Sequence, residues 1–195
     1  MTISTQRKAV DKLAPIRNIF DSFVQNCKNA YTVGANSTID EKLEGFRGRC
    51  GFKQYIPPKP NRYGIKTFAL VDSATSYALN LEVYVGQQPP GTYEKPNNPY
   101  NIVLRLIEPI SGTNRNLTCD NWFKSIDLVN KLLQDHKITY VRSIKKINEN
   151  YPMNFPLQEI DPYTLLSIWI PRENYYFVLC TKEVPKYDSH FKPPP

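Results

Sequence analysis

Histidine is almost absent from this sequence. There are 2 in 195 residues, His136 at a polar helix end and His190 in the C-terminal stretch. Ser–His and Cys–His catalysis needs an imidazole base beside the nucleophile, so that chemistry has little to draw on. No G-x-S-x-G turn occurs, and the 8 glycines form no phosphate-cradling loop. Cysteine is scarce too. Cys27, Cys50, Cys119 and Cys180 share no zinc-ligand spacing and read as reduced, mostly buried thiols. No apolar run approaches the roughly 20 residues of a membrane span, and no apolar h-region follows Met1. The expectation is an intracellular protein without a membrane partner. "NST" at 36–38 and "NLT" at 116–118 match glycosylation sequons, which without a leader read as chance.

Acidic residues are also in deficit. Against 25 Lys and Arg stand 18 Asp and Glu, a net charge of +7. That balance favours an acidic partner such as nucleic acid or an anionic surface. The length suits one domain with a small appendage, and 41% apolar residues suffice for a core. The 17 prolines cluster in loops.

Residues 6–28 carry Leu13, Ile16, Ile19, Phe20, Phe23, Val24 and Cys27 at helical spacing. This reads as an amphipathic helix packed on the core, with Pro15 near its start or dividing it in two. The segment "STIDEKLEGF" (37–46) is ambiguous. Thr38 and Glu41 resemble a capping box, yet Ile39, Glu41 and Leu43 also share one face of a strand. Strands are expected at 65–73, 76–86, 115–120 and 138–144. Helices are expected at 101–110, ended by Pro109, and at 125–136, capped by Ser125. Segments 163–170 and 175–183 read as a hairpin across "PREN". Consecutive strands followed by a strand–helix–strand unit predict an α/β fold, a mixed sheet flanked by helices.

Carboxylates are the best lead for chemistry. Asp120 ends a strand just before a helix, where ligand groups gather in mixed sheets. Asp40 precedes a basic, aromatic, proline-punctuated run (46–66). Two carboxylates from different strand ends can share Mg²⁺, which takes oxygen ligands and bridges to phosphate. Composition alone favours plainer readings: Asp120 and Asp40 as helix caps or surface acids, the basic run as a solvated loop, Trp122 and Phe123 as core aromatics.

Two long motifs shift that balance. "STIDEKLEGFRGRCGFKQYIPPKPNRYGIK" and "RNLTCDNWFKSIDLVNKLL" resemble the piggyBac transposase family. "KLAPIRNIFDSFVQNCKNAYTVG" and "ITYVRSIKK" match as well, and the last hairpin more weakly, so the resemblance covers about residues 10–183. It implies an RNase H-like mixed sheet with "TIDE" on its first strand. It also implies three aspartates binding two divalent metals (Mg²⁺ or Mn²⁺) to cut DNA at transposon ends and join them to TTAA targets in the nucleus. Asp40 and Asp120 match the first two catalytic and metal-binding positions, with Trp122 and Phe123 as packing that fixes the Asp120 loop. Arg47, Arg49, Lys53, Lys59, Arg62 and Lys66, interleaved with aromatics, are the candidate DNA contacts.

The departures carry expectations of their own. The third aspartate of the family lies in a "GGVD"-like segment that this sequence does not contain. Asp127, Asp161 and Asp188 stand in other contexts. The cysteine-rich zinc module is likewise missing. The expected organisation is a helical segment (1–36), a catalytic core truncated before its final helix (37–145), a loop and hairpin (146–183) and a tail (184–195). The expectation is a transposase-domain fragment inactive by itself. The alternatives are a domesticated, non-catalytic DNA-binding protein, or one that pairs with a second copy or a full-length transposase through residues 6–28.

Overall fold

The computed structural model describes residues 3–123, 125–145, 165–166 and 175–180. Pro15 falls between two helices, α1 (Ile3–Val10) and α2 (Arg17–Ala30). Lacking an N–H, proline suits this corner. The amides on either side, of Ala14 and Ile16, bond back to the carbonyls of Asp11 and Leu13 at 3.1 and 3.0 Å. The expected inward stripe is only partly inward. Leu13 and Val24 are buried, but Ile16 is exposed, Ile19 is 76% exposed and Phe23 55%. α2 lies against one sheet edge and turns its other apolar side outward.

The α1–α2 corner is pinned by Asp11. Its carboxylate accepts from both Arg17 Nε and Arg17 Nη2 at 2.9 Å, from Leu13 N at 2.9 Å and from Gln88 Nε2 at 2.7 Å. Gln88 Oε1 in turn accepts from Lys12 N at 3.0 Å. Burial pushes the Asp11 pKa up, but the Arg17, Leu13 and Gln88 bonds outweigh it, leaving the group below its ordinary value.

Strand β1 (Asn36–Gly45) resolves the ambiguous segment as extended chain. It pairs antiparallel with β3 (Tyr63–Asp72), from Ser37↔Asp72 to Gly45↔Gly64. A capping box is worth about 1 kcal/mol locally, which a long ladder and a buried Ile39 exceed. Thr38 caps no helix; its hydroxyl lies 3.0 Å from that of Ser73. Gly64 is required by closeness, since a Cβ there would run into the Glu44 carbonyl across the ladder. β2 (Gln54–Tyr55) and β4 (Ala78–Val83) share the far edge of β3.

Asp72 ties the turn after β3 to the entry of β1. It accepts from the amides of Gly34, Ala74 and Thr75 at 2.6, 2.8 and 2.9 Å. The Gly34 N–H leads the causes that hold its pKa at about 2.

Helix α3 (Pro99–Leu106) starts earlier than its spacing suggested, because Asn98 caps it and Pro99 fits the first turn. A 3₁₀ turn at Glu108–Ile110 follows. β5 (Asn116–Cys119) then runs parallel to β1, and α4 (Ile126–Gln134) carries the chain over to β6 (Thr139–Lys145), parallel to β5. Ser125 caps α4 as expected, accepting from Leu128 N at 3.3 Å. β8 (Tyr175–Cys180) pairs antiparallel with β6, and β7 (Leu165–Leu166) with β8. These two strands form the expected hairpin; its "PREN" turn lies outside the described residues.

Three antiparallel strands, β4–β3–β1, thus continue into the parallel set β1–β5–β6. The core lies on one sheet face. Ile39, Phe68, Leu70, Leu117, Cys119 and Tyr140 meet Ile102, Val103 and Leu106 of α3 and Leu128 and Leu132 of α4 there. Full burial of each such leucine contributes about 1.5–3 kcal/mol. Cys119 is buried, Cys27 and Cys50 are half-buried, and these three are free thiols. Among the described residues no helix is long and apolar enough to cross a membrane.

Candidate metal centre and its basic flank

The parallel register of β1 and β5 sets Asp40 and Asp120 abreast. Ile39 is opposite Cys119, so the next residue along each chain is an aspartate. Neighbouring strands run about 4.8 Å apart. Ile39 and Cys119 are buried, and strand side chains alternate, so the residue after each turns away from the core. Both aspartates are exposed. Asp40 Oδ1 accepts from the Glu41 amide at 2.7 Å.

The Cys119 thiol senses both groups. Burial pushes its pKa up to about 12; Tyr140 and the Ile39 backbone oppose the rise, and the charges of Asp40 and Asp120 add to it. Each carboxylate is therefore close enough to act on the same sulfur.

After Asp120 the chain does not enter the helix at once. A 3₁₀ turn, Asn121–Phe123, intervenes, with Phe123 N donating to the Asp120 carbonyl at 3.1 Å. Phe123 is core, as composition suggested. Trp122 is not: it is 45% exposed and stacks on Phe68, ring centroids 5.4 Å apart at 6°. The turn is therefore fixed by one buried ring and one half-open ring.

Two carboxylates present hard oxygen donors, and a Mg²⁺-type ion with such ligands keeps several waters. The donor chemistry fits a divalent cation. Among the described residues no third His, Cys, Asp or Glu converges with them.

The basic run begins where β1 ends, about 17 Å along the strand from Asp40 at 3.4 Å per residue. Arg47, Arg49 and Arg62 are exposed. Lys53 is half-buried, its Nζ 5.7 Å from the centre of the Tyr63 ring. Lys59 lies 4.0 Å from Glu41. Lys66 departs from the set. Its side chain is 15% exposed, ion-paired with Glu41, and set over the rings of Phe68, Tyr84 and Trp122. An ammonium so enclosed is poorly placed for phosphate. Sequence reading missed this cluster because its members come from four separate segments. The one available signal was period 2, which puts Lys66 on the same face as Phe68.

The family model described as Transposase IS4 matches residues 2–183. The human PiggyBac transposable element-derived protein 3 is 27% identical over 126 residues, covering 63% of this chain and 21% of that protein. The human Chimeric ERCC6-PGBD3 protein is also 27% identical over 126 residues, 63% of this chain and 12% of its own length. A cryo-EM structure of the piggyBac transposase synaptic complex with hairpin DNA matches 97% of this chain and 41% of its own, with 35% identity and a TM-score of 0.73. This chain thus spans under half the length of the proteins it matches. The mixed sheet flanked by helices is the RNase H-like fold of that transposase. The chain belongs to the Transposase IS4 family, as a transposase domain of the piggyBac type.

Proposed function

We infer that these residues carry two of the carboxylates of a metal-dependent DNA strand-cleavage and strand-transfer centre, with a basic flank that holds the duplex. The observation behind it is the placement of Asp40 and Asp120 abreast on adjacent parallel strands. Asp40 and Asp120 would hold Mg²⁺ or Mn²⁺. The ion, when bound, would activate the attacking oxygen or stabilise the leaving one. Arg47, Arg49, Lys53, Lys59 and Arg62 bind the DNA backbone, as suits a chain of net charge +7. The solved relative in complex with hairpin DNA supports a DNA substrate. By likeness to the family, its DNA substrates would be transposon ends and TTAA targets, and its site of action the nucleus. Two carboxylates alone hold metal less completely than three, so these 195 residues by themselves are read as binding DNA without cutting it.

Duplex binding across a salt series tests this. If all five cations touch phosphate, log K should fall with log salt at a slope of roughly −4.5, and Arg47→Ala with Arg49→Ala should reduce the slope by about 2. A flat response contradicts the DNA-binding reading. Plasmid nicking in Mn²⁺ that disappears in Asp40→Asn contradicts the inactivity.

Self-association is a second reading, favoured by the outward Ile19 and Phe23 of α2 and Ile16 at its N-cap. Isolated surface apolar residues are ordinary, but three on one helix face fit an interface. Sedimentation should show a dimer that Phe23→Glu dissociates; a monomer at all concentrations removes the idea.

A further inference from the structure

We propose that Lys66 is a positioning residue that clamps the two aspartate-bearing segments together. It joins Glu41, next to Asp40, to Trp122, two residues beyond Asp120. The proposal rests on the reading of Asp40 and Asp120 as a metal centre, and its first readout needs no metal.

The geometry is specific. Glu41 on β1 stands opposite Phe68 on β3, and Leu43 opposite Lys66, so Lys66 reaches Glu41 along the diagonal of the ladder. Lys66 Nζ makes an ion pair with Glu41 Oε2. The same ammonium lies 4.8 Å from the Phe68 ring centre, 5.0 Å from that of Trp122 and 5.8 Å from that of Tyr84. Tyr84 meets Phe68 edge-on at 6.1 Å, and its amide donates to the Lys66 carbonyl at 2.9 Å. A cation over several ring faces, with an anion at hand, is held by both. Trp122 is half exposed, so its place depends on the Phe68 stack, the Phe123 edge contact and the Lys66 cation. Without the cation, Glu41 is left partly buried without its closest counter-charge and one constraint on the 121–123 turn is lost. Asp120 is the residue that opens this turn.

Charge and position make opposite predictions. If Lys66 mattered only as a positive charge near the carboxylates, removing it would tighten divalent-metal binding. If it positions them, removing it weakens binding. Arginine, which stacks on rings and pairs with carboxylates, should restore it.

The test is NMR and Mn²⁺ titration on the full chain, comparing wild type with Lys66→Met, Lys66→Arg and Glu41→Gln. In wild type the Lys66 ε-methylene protons should be shifted upfield by the rings, and Trp122→Leu should return them toward ordinary values. Lys66→Met should move the backbone amides of Asp40 and Asp120–Phe123 and weaken Mn²⁺ at least fivefold. Lys66→Arg should bring both back, with affinity within twofold of wild type. Glu41→Gln, which keeps its shape, should move the same amides in the event that Lys66→Met fails to fold. Unshifted ε-methylene protons, or amides unmoved by Lys66→Met and by Glu41→Gln, overturn the clamp. So does Mn²⁺ affinity that is unchanged or tighter in Lys66→Met. Asp40→Asn and Asp120→Asn serve as controls. If neither alters Mn²⁺ binding, the metal reading fails, and the metal-free amide shifts still decide the clamp.

Discussion

Replacing Asp11 by alanine should be among the costliest single changes outside the apolar core. The carboxylate is 4% exposed and its partner Arg17 21%. It accepts four hydrogen bonds, two from Arg17 and one each from Leu13 N and Gln88. Removing one member of a buried pair typically costs about 3–5 kcal/mol, mostly because the other charge is stranded. Arg17 keeps Asp21 at 3.6 Å and some access to water, so the lower end applies, about 3 kcal/mol. For a chain of this size that corresponds to a fall in Tm of about 6–12 °C. Urea denaturation and thermal melting of Asp11→Ala measure it. Because Arg17→Met removes the stranded charge, the double variant should cost clearly less than the sum of the singles. A loss under about 1 kcal/mol, or additive singles, would refute the idea that this pair pins the α1–α2 corner to the Gln88 loop.

Other outcomes follow from single positions. Ser37 is fully buried on β1 and its hydroxyl has no hydrogen-bond partner among the described residues, so Ser37→Ala should be neutral or stabilising by up to about 1 kcal/mol in urea melts. Gly64→Ala should cost more than about 2 kcal/mol, because the new methyl meets the Glu44 backbone and not a movable side chain. Asp72, with its pKa at about 2, and Asp11, also depressed, bind protons less readily folded than unfolded. Their contribution is complete above the unfolded value near 3.9 and is lost as pH falls toward 2. Asp72→Asn should flatten the acid limb of a stability-versus-pH curve; an unchanged limb would argue against the amide nest around Asp72.

What the sequence disclosed, and what it hid, follows the range of the forces involved. Local rules found α4 from the Ser125 cap and its leucine spacing, and found β4 from alternation. Within "STIDEKLEGF" a local rule pointed to a helix start, and only the long-range ladder with β3 overrode it. The resemblance had pointed to the strand. Asp40 and Asp120 are 80 positions apart, and no spacing argument could set them side by side. The parallel register of β1 and β5 does so. The outward turn of Ile19 and Phe23 was hidden because helical spacing shows that a stripe exists, not what covers it. The Asp11–Gln88 bond spans 77 positions and left no trace in either segment. Lys66 looked like one more cation in a basic run until the Glu41 carboxylate and three rings enclosed it.

Iron-directed cleavage of the polypeptide tests the central claim most directly. Fe²⁺ placed where Mg²⁺ would sit, with ascorbate and peroxide, cuts nearby backbone through hydroxyl radicals. Breaks should cluster at Asp40 and at Asp120, fade with excess Mg²⁺, and vanish from both places in Asp40→Asn. Cuts scattered along the chain, or cuts at these positions that persist in Asp40→Asn and in Asp120→Asn, would contradict a shared metal centre.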